Sequence, residues 1–179
     1  MVRGFLLNNQ LTDFSFRSDH AGAPDANRVQ PGKRPRSSMS PTLVFDDSAA
    51  VDSGTTRPST MPGASLGARR LVLVLGSPGG ASIISYVART LVGTLDQGQS
   101  LQQVIDSPNI GSRNGPTEIE AGTSAEALMP YLSARGHRLR VGPMTSGLHG
   151  IIRMCAQDGT GCMLESGTDP RREGLAVGH

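Results

Sequence analysis

The run Leu71-Val72-Leu73-Val74-Leu75 constrains this chain more than any other stretch, because five consecutive apolar, β-compatible residues have no polar face to turn toward water. Absence of alternation predicts a strand buried on both faces, with a helix as the weaker alternative. Gly76 bounds the run, Ser77-Pro78-Gly79-Gly80 follows, and then a helical pattern begins. Ile83, Ile84, Val87, Ala88, Leu91, Val92 and Leu95 recur at a spacing that gives one apolar stripe, with Gly98 as a stop. The centre of the fold is therefore expected to be a buried strand feeding a helix through a glycine turn.

Around that centre the elements are short. Thr42-Leu43-Val44-Phe45 and Thr117-Glu118-Ile119-Glu120 read as strands, as does the alternating His137-Arg138-Leu139-Arg140-Val141. A second helix is expected from Ser100, as N-cap, to Asp106, stopped by Pro108. A third is expected from Ser124 to Arg135 despite Pro130, with Gly136 just past its end. Ile151 to Cys155 and Cys162 to Leu164 flank Asp158-Gly159, a hairpin signal that would set the two cysteines opposite each other as a possible cross-strand pair. Residues 18–41 are rich in Pro, Gly, Arg and Ser and are expected to be irregular, after a short strand or turn that starts at Phe5-Leu6-Leu7 and ends at Asp13-Phe14. Residues 46–68 form a Ser/Thr/Pro/Gly-rich segment expected to be a flexible insertion. The fold class is mixed α/β (α+β), and 179 residues suit one domain.

Composition narrows the function classes. With 36% hydrophobic and 3% aromatic residues, 23 Gly and 12 Pro, the core is thin for the length, so the chain is expected to be partly loop or part of something larger. No stretch approaches the ~18–20 apolar residues of a membrane span. All but one of the 17 Lys and Arg residues are Arg, and a net charge of +2 decides little about partners. The segment Arg34-Pro35-Arg36 could touch nucleic acid, but no stacking aromatics accompany it, and no nucleic-acid role is expected. His20, His137, His149 and His179 have no ligand spacing, so no metal is expected. The apolar burst near Met1 is too short for a secretory signal, so the sequence as written is expected to stay where it is made, in the cytoplasm.

Three segments could carry chemistry. Gly79 and Gly80, between strand and helix, could turn backbone amides toward a phosphate or an oxyanion, although an ordinary tight turn is the plainer reading. The pattern lacks the Lys-Ser/Thr of a phosphate loop and the third glycine of a dinucleotide fingerprint. Ser37 and Ser38, near Lys33, Arg34 and Arg36, could hold a carboxylate or a phosphate, or form a solvated turn. Gln10 and Asp13, in Asn8-Asn9-Gln10-Leu11-Thr12-Asp13, could hold an ammonium group, or serve only Asx-type turn chemistry.

In this order, Gly4 to Ser15, Pro31 to Thr42 and Gly76-Ser77-Pro78-Gly79-Gly80 resemble the small subunit of the γ-glutamyltranspeptidases (glutathione hydrolases), and Thr168-Asp169-Pro170-Arg171 fits the end of that subunit. The likeness covers nearly the whole chain apart from residues 46–68. It implies an N-terminal-nucleophile hydrolase fold, an αββα sandwich of which this chain holds only part, and no cofactor. It also implies γ-glutamyl transfer or hydrolysis through an acyl-enzyme on a Thr exposed when the precursor cleaves itself. By the same likeness, Gln10 and Asp13 match positions that hold the donor's α-amino group, Ser37 and Ser38 those at its α-carboxylate, and Gly79 and Gly80 the oxyanion hole. The partners implied are γ-glutamyl compounds such as glutathione and a large-subunit-like polypeptide.

One departure stands out. The family's nucleophilic Thr lies ahead of the Asn-Asn-Gln motif, whereas Thr12 falls inside that motif and Thr55-Thr56 after the serine pair. This chain is therefore expected to lack the nucleophile and to be inactive alone. The alternative is a non-catalytic remnant, or a module that binds glutamate-like ligands or a partner. A related acylase acting on a β-lactam side chain is a weaker third reading, since the four head-group residues suit an α-amino acid.

Overall fold

The computed structural model describes residues 8–46, 70–156 and 161–178. The Phe5-Leu6-Leu7 burst, residues 47–68 of the expected insertion with Thr55-Thr56, and the Asp158-Gly159 turn lie outside the described residues. The chain divides into two compact units, residues 1–38 and 39–179.

The first unit is built from turns. A 3₁₀ turn spans Gln10–Asp13, where a strand or turn was expected, and its Thr12 hydroxyl donates to the Asn9 carbonyl at 2.7 Å. A two-residue hairpin follows, β1 (Asp19–His20) against β2 (Ala23–Pro24), and Ser15 and Arg28 form a lone parallel bridge. Among the described residues of this unit, Phe14 is the buried apolar one.

The second unit holds two sheets. The larger runs in the order β3 (Thr42–Asp46), β4 (Arg70–Gly76), β8 (His149–Met154), β9 (Met163–Thr168), antiparallel throughout. The smaller is β5 (Ile110–Gly111), β6 (Thr117–Glu120) and β7 (Leu139–Gly142), in which β6 and β7 run parallel. A parallel pair needs a crossover, and the segment between β6 and β7 supplies it. That segment is a 3₁₀ turn, Ser124–Leu128, leading into α3 (Met129–Ala134). Pro130 explains the break in the expected single helix. It sits in the first turn of α3, where a missing N–H costs nothing, but one turn later in a continuous helix it would remove a bond.

The strand Arg70–Gly76 is central as expected, but only one of its faces is buried. Leu73 and Leu75 are 0% and 2% exposed, whereas Val74 on the opposite face is 40% exposed beside Leu43 and Ile151, its neighbours in register. The apolar run thus carries a second apolar face that nothing among the described residues of this unit covers.

Two helices cover the first face. In α1 (Ile83–Leu91) the buried side is Ile83, Tyr86, Val87 and Thr90, so the inner stripe uses Tyr86 and Thr90 while Ile84, Val92 and Leu95 face outward. A π-type turn, Val92–Asp96, ends that helix, and Gly93 inside it lies so close to Val104 that a Cβ would sit 2.7 Å from a Val104 methyl. The second helix, α2 (Leu101–Asp106), starts as the sequence predicts. The Gln103 amide donates to the Ser100 hydroxyl, and the Gln103 side chain accepts from the Ser100 amide.

Leu101 and Ile105 are fully buried, each a gain of about 1.5–3 kcal/mol from burial alone. They rest on Gly150 and Gly167, which face each other across β8 and β9. A Cβ on Gly167 would lie 2.7 Å from Ile105, and one on Gly150 would lie 3.2 Å from Leu101. The helix is then fastened to β9. Gln102 donates to the Thr168 carbonyl and accepts from the Thr168 amide, both at 3.0 Å, and Glu165 accepts from the Leu101 amide at 3.0 Å.

Candidate functional site

The turn after β4 is set by its backbone. Gly79 has φ +139° and Gly80 φ +56°, two successive conformations that side chains disfavour. Space forbids a side chain as well, since a Cβ on Gly79 would meet the Tyr86 ring at 2.6 Å. Tyr86 is buried, and that burial raises its phenol above the ordinary value, against a hydrogen bond with Ser82 that lowers it. Helix-opening amides have no carbonyl in their own helix to bond. Those of Gly79 and Gly80 stand at the opening of the 3₁₀ turn Gly80–Ser82, which leads into α1.

A second loop buttresses this turn. The Gly147 amide donates to the Ser77 hydroxyl at 3.1 Å, and Ser77 donates to the Pro78 carbonyl at 2.7 Å. Gly147 packs against both Pro78 and Arg172 with no room for a Cβ. Arg172 donates to the Thr145 carbonyl from Nε at 3.3 Å and from Nη2 at 3.1 Å.

Behind this loop lies a buried polar cluster that sequence reasoning missed. Asp169, 1% exposed, accepts from the Ser146 hydroxyl at 2.5 Å and the Leu148 amide at 3.1 Å on one oxygen. Its other oxygen accepts from the Arg171 amide at 3.0 Å and guanidinium at 3.1 Å. Arg171 also forks onto Glu120, at 2.5 and 2.9 Å, and donates to the carbonyls of Ile105 and Ser107. Glu120 accepts from the Asn109 amide at 2.7 Å, and the Asn109 side chain donates to Ser146 at 2.9 Å. Burial opposes the Asp169 charge, but its four hydrogen bonds prevail and hold the carboxyl below its ordinary value. The Glu120 hydrogen bonds, against a smaller burial effect, raise Arg171. The Thr-Asp-Pro-Arg segment is thus a clasp joining β6, α2 and the loop that backs the glycine turn.

In the first unit, Asn27 ties together two of the predicted segments. Its side-chain amide donates to the Asp13 carbonyl at 2.7 Å, and its side-chain oxygen accepts from the Arg36 amide at 2.9 Å. The turn with Gln10 and Asp13 therefore lies beside the stretch that leads into Ser37 and Ser38. Gln10, Asp13 and Ser38 are half-buried and Ser37 is exposed. The Gln10 amide donates to the Asn8 side chain at 3.2 Å. Nothing in the sequence pattern singled out Asn27, since the Asp25-Ala26-Asn27 stretch reads as an ordinary turn. Gly79 and Gly80 belong to the other unit.

Beside Gly79 a cleft of about 230 Å³ is lined by Tyr86, Ile119, Met144 and Thr145, with Arg113, Glu118 and Arg140 among its polar walls. Among the described residues, no group of three or more His, Cys, Asp and Glu side chains could hold a metal ion, and no helix is long and apolar enough to cross a membrane.

The family model for gamma-glutamyltranspeptidase matches residues 1–56 and 55–179. The chain belongs to the γ-glutamyltranspeptidase family. It is 32% identical over 176 residues to the glutathione hydrolase proenzyme of Bacillus subtilis (strain 168), covering 98% of this chain and 25% of that protein. To the glutathione hydrolase proenzyme of Escherichia coli (strain K12) it is 33% identical over 178 residues, covering 94% of this chain and 26% of that one. It spans about a quarter of the length of these curated relatives. Among solved structures, a mutant of Helicobacter pylori γ-glutamyltranspeptidase matches with TM-score 0.70 at 26% identity, over 96% of this chain and 83% of that one. The Pseudomonas nitroreducens enzyme complexed with L-DON matches with TM-score 0.68 at 26% identity, over 99% and 83%. The fold is accordingly that of the N-terminal-nucleophile hydrolases, of which this γ-glutamyltranspeptidase-family chain holds part.

Proposed function

We propose that this chain supplies the oxyanion-binding and donor-recognition residues of an enzyme that transfers or hydrolyses γ-glutamyl groups, on substrates such as glutathione. The observation that carries the reading is the Gly79–Gly80 turn. Its two positive φ values and the Tyr86 ring against Gly79 hold that turn to glycine, and a backbone free of side chains at two successive positions supports the reading of its amides as oxyanion donors. Such donors stabilise the tetrahedral oxyanion of acyl transfer, each by about 10²–10³ in rate. Gln10 and Asp13 would take the donor's α-amino group, and Ser37 and Ser38 its α-carboxylate. Asn27 supports that assignment by joining the two segments. The attacking Thr comes, on this reading, from outside these motifs, so that water or an amino acid resolves an acyl-enzyme formed on another segment.

A large-subunit-like polypeptide is the partner we infer for the open face of the larger sheet, where Leu43, Val74 and Ile151 are 58%, 40% and 48% exposed. The same face supports the alternative of a non-catalytic module that binds a partner or a glutamate-like ligand. Two measurements separate these readings. A γ-glutamyl anilide incubated with the pure chain is expected to release no chromophore; release above background would overturn the external nucleophile. Calorimetric titration with glutamate is expected to show millimolar or tighter binding, and a folded sample that gives no heat would remove the donor-recognition role.

A further inference from the structure

We propose that the Cys155–Cys162 bridge is a thiol-exchange site, at which a low-molecular-weight thiol attaches to Cys155 and expels Cys162. This goes beyond the γ-glutamyl reading and does not rest on it. The two sulfurs close the end of the β8–β9 hairpin, next to its last registered pair, Met154 and Met163. Because β4 pairs with β8 only from His149 to Ile152, this end of the hairpin projects past the neighbouring strand, and both cysteines are exposed. Exposed bridges are the ones that small thiols reach and open.

The surroundings of the two sulfurs are unequal. Arg153 Nη2 donates to Cys162 Sγ at 3.1 Å, whereas among the described residues no donor reaches the sulfur of Cys155. Register explains the reach, since Arg153 stands opposite Leu164 and a long side chain spans the diagonal to Cys162. A guanidinium beside a sulfur favours the thiolate there, and the sulfur that better carries the charge is the better leaving group. The thiolate of the small thiol, its proton left in water, attacks Cys155 Sγ. The S–S bond breaks and its electron pair leaves on Cys162 Sγ, where Arg153 holds the charge. One disulfide replaces another, so this step needs no oxidant or reductant. A second thiolate, attacking the small molecule's sulfur on Cys155, releases the Cys155 thiolate and a small disulfide, which completes a two-electron reduction of the bridge. Attack of Cys162 on the mixed disulfide at Cys155 instead reverses the first step and closes the bridge again.

The experiment treats the folded full chain with millimolar 2-mercaptoethanol, quenches early with iodoacetamide, and locates both labels by peptide mass spectrometry. The mixed disulfide is expected on Cys155 and the alkyl group on Cys162. Arg153→Gln should slow opening about fivefold, because the leaving sulfur carries only part of its charge in the transition state, and Arg153→Lys should keep most of the rate. A second measurement needs no trapped intermediate: the fully reduced chain, given limiting iodoacetamide, is expected to react several-fold faster at Cys162 than at Cys155. A mixed disulfide shared equally or found mainly on Cys162 overturns the proposal, as does equal alkylation of the two thiols. So does a bridge that stays closed in the folded chain while the urea-unfolded chain opens under the same thiol. Since 2-mercaptoethanol carries no γ-glutamyl group, none of these outcomes bears on glutamate binding or on the oxyanion turn.

Discussion

Replacing Asp169 by Asn tests whether the clasp behind the glycine turn holds the second unit together. Both carboxylate oxygens of Asp169 accept, one from Ser146 and Leu148 and the other from the Arg171 amide and guanidinium. An Asn side chain keeps one oxygen and turns the other into an NH₂ group. Pointed at Arg171, the new NH₂ faces two donors, and pointed the other way it faces the Leu148 amide even if the Ser146 hydroxyl turns to accept, all in a site 1% exposed. Each lost hydrogen bond to a charged group is worth about 1.5–3 kcal/mol, and removing one partner of a buried pair costs about 3–5 kcal/mol. Arg171 keeps its fork on Glu120, so the lower end applies, about 3 kcal/mol. In a chain of this length that corresponds to roughly 6–12 °C in Tm.

Urea unfolding followed by circular dichroism, at pH 7 and at pH 3, is the assay. The Asp169 carboxyl sits below its ordinary value in the folded chain, so the unfolded chain takes up its proton first as the pH falls. Its contribution is complete above the unfolded value of about 3.9 and is lost as the pH drops through the lower folded value. The gap between the unaltered chain and the Asp169→Asn variant should therefore be widest near pH 7 and close below about pH 4. A loss under about 1 kcal/mol at pH 7, or a gap that does not narrow in acid, would refute this account of the clasp.

Gly79→Ala meets both the +139° φ and the Tyr86 ring, and is expected to destabilise the chain by about 1–3 kcal/mol. In an assembled enzyme it should also cut turnover of a γ-glutamyl anilide by about 10²–10³; undiminished turnover would count against the oxyanion role. Asn27→Ala removes the donor to Asp13 and the acceptor from Arg36. It should weaken glutamate binding about tenfold by calorimetry, and an unchanged affinity would break the link between the two segments. Cys155 and Cys162 are joined by a disulfide seven residues apart, so Cys155→Ser should cost about 2.5 kcal/mol on loop-closure grounds. Equal melting of the variant and of the unaltered chain would show that the bridge adds nothing to stability.

The elements whose signals are local were legible in the sequence. The apolar run before Gly76 and the Ser100 cap each depend on residues within a few positions of one another, and each appears as expected, while the disulfide between Cys155 and Cys162 realises a pairing that the sequence left open. The family likeness was legible for a different reason, since three ordered motifs are specific even where each alone is an ordinary turn. What the sequence hid are contacts made by distant residues. Arg171 reaches Glu120 across 51 positions and Asn109 reaches Ser146 across 37, and no spacing rule connects such pairs. The expected burial of both faces of β4 also failed, because a run of apolar residues states what a strand face can pack against and not whether anything packs there. Tyr86 and Thr90 took the inner side of α1 because hydrophobicity alone cannot rank Thr90, whose hydroxyl is satisfied by the Tyr86 carbonyl at 3.0 Å.

The floor beneath α2 has a consequence for how such a chain can diverge. Gly150 and Gly167 let Leu101 and Ile105 come down onto the sheet, and the clearances leave no room for a methyl group on Gly167. A lineage that gained Ala at position 167 would lift the helix off Glu165 and Thr168 unless position 105 lost bulk in the same step or before it. Drift at these positions must therefore travel in couples, small for large and large for small.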